Sequence, residues 1–116
     1  MHDFCEMVYE TIAAVPKGKI TTYKDIADCL GYPGYARQVA KCLSSLAKHP
    51  NKKQYRNLPW HRVIRSDMKI AFPLGSQPYN LQIKKLRADG VIPNTTKALS
   101  SSPSFSIKYR ANFSNP

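Results

Sequence analysis

The sequence predicts a mostly α-helical domain of helix-turn-helix type with a short β-hairpin beside it. Apolar residues recur at helical spacing in four separate stretches. Two of these, 22–30 and 35–48, are joined by the tight Tyr32-Pro33-Gly34 connection. A β-branched run, Val63-Ile64-Arg65, precedes a Ser66-Asp67 turn and then Lys69-Ile70-Ala71-Phe72, which is the pattern of a hairpin. A chain of 116 residues holds one such domain, set at 1–93, with a tail over 94–116.

Each element has a local reason. Phe4, Val8, Ile12 and Val15 line one face of a helix over 4–15, with Asp3 as its cap and Glu6 three residues on. Pro16-Lys17-Gly18-Lys19 is a turn, and Ile20-Thr21 a very short extended segment. Thr22 caps the second helix, in which Tyr23, Ile26, Ala27 and Leu30 are the apolar positions, and Gly31 ends it. Ala36, Val39, Ala40, Leu43 and Leu46 form the inner face of the third. Residues 49–58 are a polar, basic loop. Tyr79 to Asp89 is a fourth helix, with Leu81, Ile83 and Leu86 apolar and Gly90 as its cap. From Asn94 on, serines sit among Thr, Asn and Pro, the composition of a flexible tail. The alternation of Phe105, Ile107, Tyr109 and Phe113 leaves a docking strand open as the alternative.

Charge separates the ends of the chain. The net charge is +11. Residues 1–28 hold five acids against three bases, whereas residues 29–93 hold twelve Lys or Arg against only Asp67 and Asp89. An excess confined to one region and interleaved with aromatics is the footprint of a polyanion-binding face. No apolar run approaches the roughly 20 residues of a membrane helix, and Asp3 and Glu6 stand where a secretory signal carries basic charge. An intracellular protein with no membrane contact is expected. Cys5, Cys29 and Cys42 are odd in number and fit no metal spacing, so reduced, buried thiols are expected and a disulfide framework is not.

Catalytic groups are scarce. His61 is flanked by Trp60 and Arg62, with no Ser or Cys beside it to activate. His2, His49 and His61 are scattered, so no metal is expected, and no cofactor motif is present. Asp67 and Asp89 are the only acids after Asp28, too few for paired-carboxylate chemistry. The residues read as binding rather than turnover. Within that reading Trp60, the only tryptophan, serves equally as a stacking surface or as a core aromatic.

Three motifs then stand in a telling order: Ile20-Thr21-Thr22-Tyr23, Tyr35-Ala36-Arg37-Gln38-Val39 and Pro59-Trp60-His61-Arg62-Val63-Ile64. With Leu86-Arg87-Ala88-Asp89-Gly90-Val91 at the close, the stretch 4–92 resembles the DNA-binding domain of the O6-alkylguanine-DNA alkyltransferases. Those enzymes carry Pro-Cys-His-Arg, where the Cys accepts the alkyl group. Trp60 stands at the Cys position, the mark of the alkyltransferase-like branch, which binds alkylated guanine without repairing it.

The resemblance implies a winged helix-turn-helix-like DNA-binding domain over 1–93. It implies no enzyme activity, because alkyl transfer needs a thiolate and an indole offers no such lone pair. The lesion pocket is assigned to Trp60, Tyr23, Pro59, Val63 and Arg65. DNA contacts are assigned to Tyr23, Tyr35, Ala36, Arg37, Gln38, Ala40 and Lys41. Arg37 resembles the arginine that fills the gap left by a flipped base, and Ala36 and Ala40 allow close approach to the minor groove. His61 and Asp89 resemble a catalytic relay left without a nucleophile. Asp89 is one methylene shorter than the usual glutamate, and Pro73-Leu74-Gly75 replaces a Gly/Ser-rich loop. The implied partners are double-stranded DNA containing alkylated guanine and nucleotide excision repair proteins, met by a monomer in the nucleus of a eukaryotic cell or otherwise in the cytoplasm. The rival readings are a residual alkyltransferase or glycosylase-like enzyme, and a helix-turn-helix regulator without lesion preference.

Overall fold

The computed structural model describes residues 3–47, 57–94 and 102–111. Its elements are α1 (Phe4–Ala13), β1 (Thr21–Thr22), α2 (Tyr23–Cys29), α3 (Ala36–Ala47), β2 (Val63–Ile64) and α4 (Gln77–Ala88). Most of the basic loop read over 49–58 lies outside the described residues.

Side-chain caps set the helix starts. Asp3 accepts a hydrogen bond from the Glu6 amide at 2.8 Å, and Thr22 accepts one from Asp25 at 3.0 Å. α4 begins two residues earlier than its apolar pattern suggests, because Ser76 caps it and Pro78 fits its first turn. α2 and α4 end alike. Gly31 and Gly90 adopt φ of 83° and 85°. The amides that follow, Tyr32 and Val91, reach back to the carbonyls of Ala27 and Leu86 at 2.9 Å each. The turn after Gly31 sends the chain into α3, which packs on α2 in the most extensive helix–helix contact.

The strands are short but divide the core. β1 and β2 pair in parallel, Thr21 opposite Val63 and Thr22 opposite Ile64. Successive strand residues face opposite ways. Val63 joins Val8, Ile12, Ile26 and Val39 on one side, while Ile64 joins Ile20, Ile70, Leu86 and Val91 on the other.

Three expectations are corrected. The first is the hairpin wing. β2 pairs with β1, and the chain beyond it makes a tight turn in which the Arg65 amide donates to the Lys69 carbonyl at 2.9 Å. Met68 holds φ at 65° within that turn. The Lys69 amide is taken by the Asp67 side chain at 3.2 Å, and Lys69 bridges antiparallel to Ser104 instead. Only the turn of the hairpin forms.

The second correction concerns the tail. Residues 102–111 pack on the body of the fold. Phe105 is 2% exposed in the second core cluster. Ile20 and Arg110 form a parallel bridge, and the Arg110 Nε donates to Asp25 at 2.6 Å. Serines are frequent in it, but the buried Phe105, the Arg110–Asp25 pair and backbone hydrogen bonds with Ile20 and Met68 hold the segment.

The third concerns the cysteines. Cys5 and Cys42 form a disulfide, their Cα atoms 5.3 Å apart, and Cys29 is exposed. The packing of α1 on α3 brings together two residues 37 apart in sequence, which spacing alone does not reveal.

Phe105→Ala should cost about 3 kcal/mol in urea unfolding, the usual loss for a buried aromatic; an unchanged midpoint would return the segment to a flexible tail. Alkylating the folded, unreduced protein should label one thiol by mass spectrometry, and labelling of all three would remove the disulfide.

Candidate nucleic-acid interface

α3 presents two faces. Val39 and Cys42 are buried, whereas Arg37, Gln38 and Lys41 are exposed and share the opposite side. Ala36 and Ala40 flank that side as half-buried, small positions. An exposed helix face carrying two cations and an amide, with alanines between, can lie close against a polyanion. Tyr35, just before the helix, is exposed and packs its ring 5.8 Å from Phe4 and 5.3 Å from Tyr32. This aromatic trio fixes the entry to α3.

The Pro59-Trp60-His61-Arg62 stretch forms a single 3₁₀ turn, with the Arg62 amide bonded to the Pro59 carbonyl at 3.0 Å. Trp60 is half-buried. Together with Asn57, Leu58, Pro59, His61, Arg62 and Lys85 it lines a cleft of about 420 Å³. Its ring lies 6.4 Å from that of Phe72, nearly at right angles. The indole therefore stands at a cleft wall, and a core position is ruled out.

Behind Trp60 the turn is held by one carboxylate. Asp89 accepts from Arg62 Nε at 2.8 Å and from His61 Nε2 at 2.9 Å. Arg62 also donates to the Val15 carbonyl at 2.9 Å, tying the end of α1 to the end of α4. The Arg62 hydrogen bond holds the Asp89 carboxyl below its ordinary range; burial opposes this, and His61 adds to it. An ionised Asp89 only accepts, so His61 Nε2 carries the proton. Burial lowers the His61 pKa, outweighing the hydrogen bond that His61 donates to Asp89. Gln82 completes the support: its buried amide donates to the carbonyls of His61 and Val63, both at 3.0 Å.

The loop after β2 shapes a second, separate hollow. Arg65, Lys69, Phe72, Leu74 and Ser102 contribute to a hollow of about 340 Å³. Arg65 pairs with Asp67 at 3.0 Å. Tyr23 feels the Arg65 charge, which lowers its pKa, but burial raises it more and keeps the phenol neutral at ordinary pH.

The structure thus brings Tyr23 near Arg65, and Trp60 beside Pro59, His61 and Phe72. Val63 is different. Its side chain is 2% exposed in the first core cluster, so it supports the Trp60 turn from behind and is not a pocket wall. His61 and Asp89 are hydrogen-bonded. Sequence reasoning missed Arg62 as a clamp, Gln82 as a buried bridge and Phe72 as the neighbour of Trp60. A glutamine on the apolar side of α4, in register with Tyr79 and Leu86, was the available signal for Gln82.

Residues 3–91 match the family described as 6-O-methylguanine DNA methyltransferase, DNA binding domain, and the chain belongs to that family. It is 41% identical over 91 residues to a DNA base-flipping protein of Vibrio parahaemolyticus, covering 78% of this chain and 83% of that protein. It is 37% identical over 91 residues to alkyltransferase-like protein 1 of Schizosaccharomyces pombe, covering 78% and 79%. Among solved structures, that of the Schizosaccharomyces pombe protein in complex with damaged DNA containing O6-carboxymethylguanine superposes with a TM-score of 0.77 at 32% identity, over 97% of this chain and 99% of that one. Mycobacterium tuberculosis O6-methylguanine methyltransferase superposes with a TM-score of 0.56 at 26% identity, over 77% and 49%. The mostly helical fold with its small parallel strand pair is the fold of these proteins.

The Asp89 junction sets the acid stability. A depressed histidine contributes stability above its unfolded pKa of 6.5 that is lost as pH falls through the folded value, because the unfolded chain takes the proton first. Asp89 adds a second decline below 3.8 by the same sign. His61→Gln should remove the first decline in pH-dependent melts while leaving the second. Asp89→Asn should cost about 3 kcal/mol at pH 7, since it strands a buried guanidinium.

Proposed function

We propose that this protein recognises O6-alkylguanine in double-stranded DNA, turns the damaged nucleotide out of the helix, and holds it without removing the alkyl group. The observation that carries the reading is Trp60. By the resemblance of Pro-Trp-His-Arg to Pro-Cys-His-Arg it stands for the acceptor cysteine, and it is half-buried at a cleft wall beside a hydrogen-bonded His61 and Asp89.

In this reading the domain works through its helix-turn-helix, α2 and α3. α3 docks in the minor groove, with Ala36 and Ala40 permitting close approach. Arg37 fills the space left by the flipped base, Gln38 and Lys41 take backbone contacts, and Tyr23 crowds the phosphate that must rotate. Flipping costs a few kcal/mol. Stacking on Trp60 and the Arg37 insertion offset it. The apolar face of the indole packs the adduct, with Pro59 and Arg65 at the rim.

Trp60 denies the chemistry as well. Transfer would need a thiolate in line with the alkyl carbon. His61 directs Nε2 at Asp89, Cys5 and Cys42 are joined to each other, and the exposed Cys29 does not line the Trp60 cleft. Holding a lesion open in this way marks it for nucleotide excision repair proteins, a role that places the monomer inside the cell and, in a eukaryote, in the nucleus.

Titration of O6-methylguanine and unmodified duplexes at matched salt tests this. The methylated duplex should bind about tenfold tighter or more, and a labelled methyl group should stay on the DNA. Equal affinities would favour a general regulator, and label on the protein a transferase. Arg37→Ala should weaken lesion binding about tenfold. Lys41→Ala should weaken both duplexes alike and reduce the salt dependence by about one charge.

A further inference from the structure

Ser102-Pro103 is the only Ser-Pro or Thr-Pro pair in the chain. A proline holds the residue before it in extended backbone, the form in which a kinase cleft takes its substrate. The docked C-terminal segment carries this serine to a particular place. Lys69 bridges to Ser104, and the Phe105 amide donates to the Met68 carbonyl at 2.8 Å. Ser102, half-buried, thereby lines the hollow of about 340 Å³ that Arg65 and Lys69 also line.

That hollow holds two cations against one carboxylate, Asp67. Asp67 takes one Nη of Arg65 at 3.0 Å, and a guanidinium has further N–H donors to offer. Lys69 is half-buried and pairs with no carboxylate among the described residues. A serine hydroxyl is neutral and leaves the excess positive charge in place. A phosphoryl group on the same oxygen would add about 1.5 to 2 negative charges and three acceptor oxygens, which two cations bind through charge-assisted hydrogen bonds.

We propose that Ser102 is a phosphorylation site, and that its phosphoryl group docks on Arg65 and Lys69 and lowers the affinity for DNA. The loss of affinity rests on the reading of this protein as DNA-binding with Arg65 at the pocket rim; the docking does not. A Ser/Thr kinase supplies the group from ATP. The bond from the γ-phosphorus to the Ser102 Oγ forms, the bridging bond to ADP breaks, and the hydroxyl proton passes to the base of the kinase. Arg65 and Lys69 then face the chain's own phosphate in place of one from DNA.

The test treats the full chain with a proline-directed kinase of the cyclin-dependent class and ATP. Mass spectrometry should find one phosphate on Ser102, and none on the Ser102→Ala chain. In ³¹P NMR the phosphoserine should titrate below its value in a synthetic peptide of residues 99–106, ordinarily about 6, because both cations favour the dianion. Lys69→Ala should move the titration back towards the peptide. The phosphorylated chain should bind O6-methylguanine and unmodified duplexes alike about tenfold more weakly than the untreated chain, with the salt dependence reduced by about one to two charges.

An unlabelled Ser102 would overturn the modification, and a phosphoserine titrating as in the peptide would overturn the docking. Unchanged DNA affinity in the phosphorylated chain would overturn the regulation. None of these results touches lesion recognition, which fails if the untreated chain shows no preference for the O6-methylguanine duplex.

Discussion

The Asp89 carboxylate is the point on which the recognition turn depends. It sits at the C-terminal end of α4, where the helix dipole disfavours an anion. Two donors reverse that. Arg62 and His61 both bond to it, and Arg62 continues to the Val15 carbonyl. One anion thereby joins the ends of α1 and α4 to the turn that carries Trp60. Gln82 fixes the same turn through its backbone carbonyls. Trp60 itself makes none of these bonds, so its indole is free to be a surface. The arrangement separates the groups that hold the turn, Asp89, Arg62 and Gln82, from the half-buried Trp60 ring and its neighbour Phe72.

A histidine bonded to a carboxylate can activate a nucleophile, but it can equally brace a turn. No cysteine lines the cleft beside His61, and bracing is the role its bond to Asp89 supports. The neutral, buried His61 and the ionised Asp89 suit it, since a single fixed hydrogen bond holds the ring in one orientation.

Much of the fold was legible from the chain. Asp3, Thr22, Gly31 and Gly90 declared their helix ends because capping is a local interaction between near neighbours. The inner face of α3 was legible in part: Val39 is buried as its spacing implies, Ala36, Ala40, Leu43 and Leu46 are half-buried, and Cys42, which the pattern did not include, is buried with Val39. The features that failed to show were all long-range. Val63 reads as a strand residue from either side, and only the parallel pairing with Thr21 decides that it faces the core. Cys5 meets Cys42, and Phe105 meets the second core cluster, through packing across many residues. Lys69 bridges to Ser104 in place of the expected strand 63–65, and that partner lies too far along the chain for a local pattern to announce it. Arg62 looked like one more positive charge in a basic region until its two anchors were in view. The site followed the same pattern: motif order located Trp60, but its aromatic neighbour came from a loop that departs from the pattern of the family.

Trp60 is the only tryptophan, so its emission reports on the site directly. Stopped-flow fluorescence on mixing with an O6-methylguanine duplex should show a quench that saturates at one lesion per chain, as a flipped base stacks on the indole. The unmodified duplex, at concentrations that saturate binding, should leave most of that signal absent. An identical fluorescence change with both duplexes would contradict the claim that Trp60 is the floor of the lesion pocket.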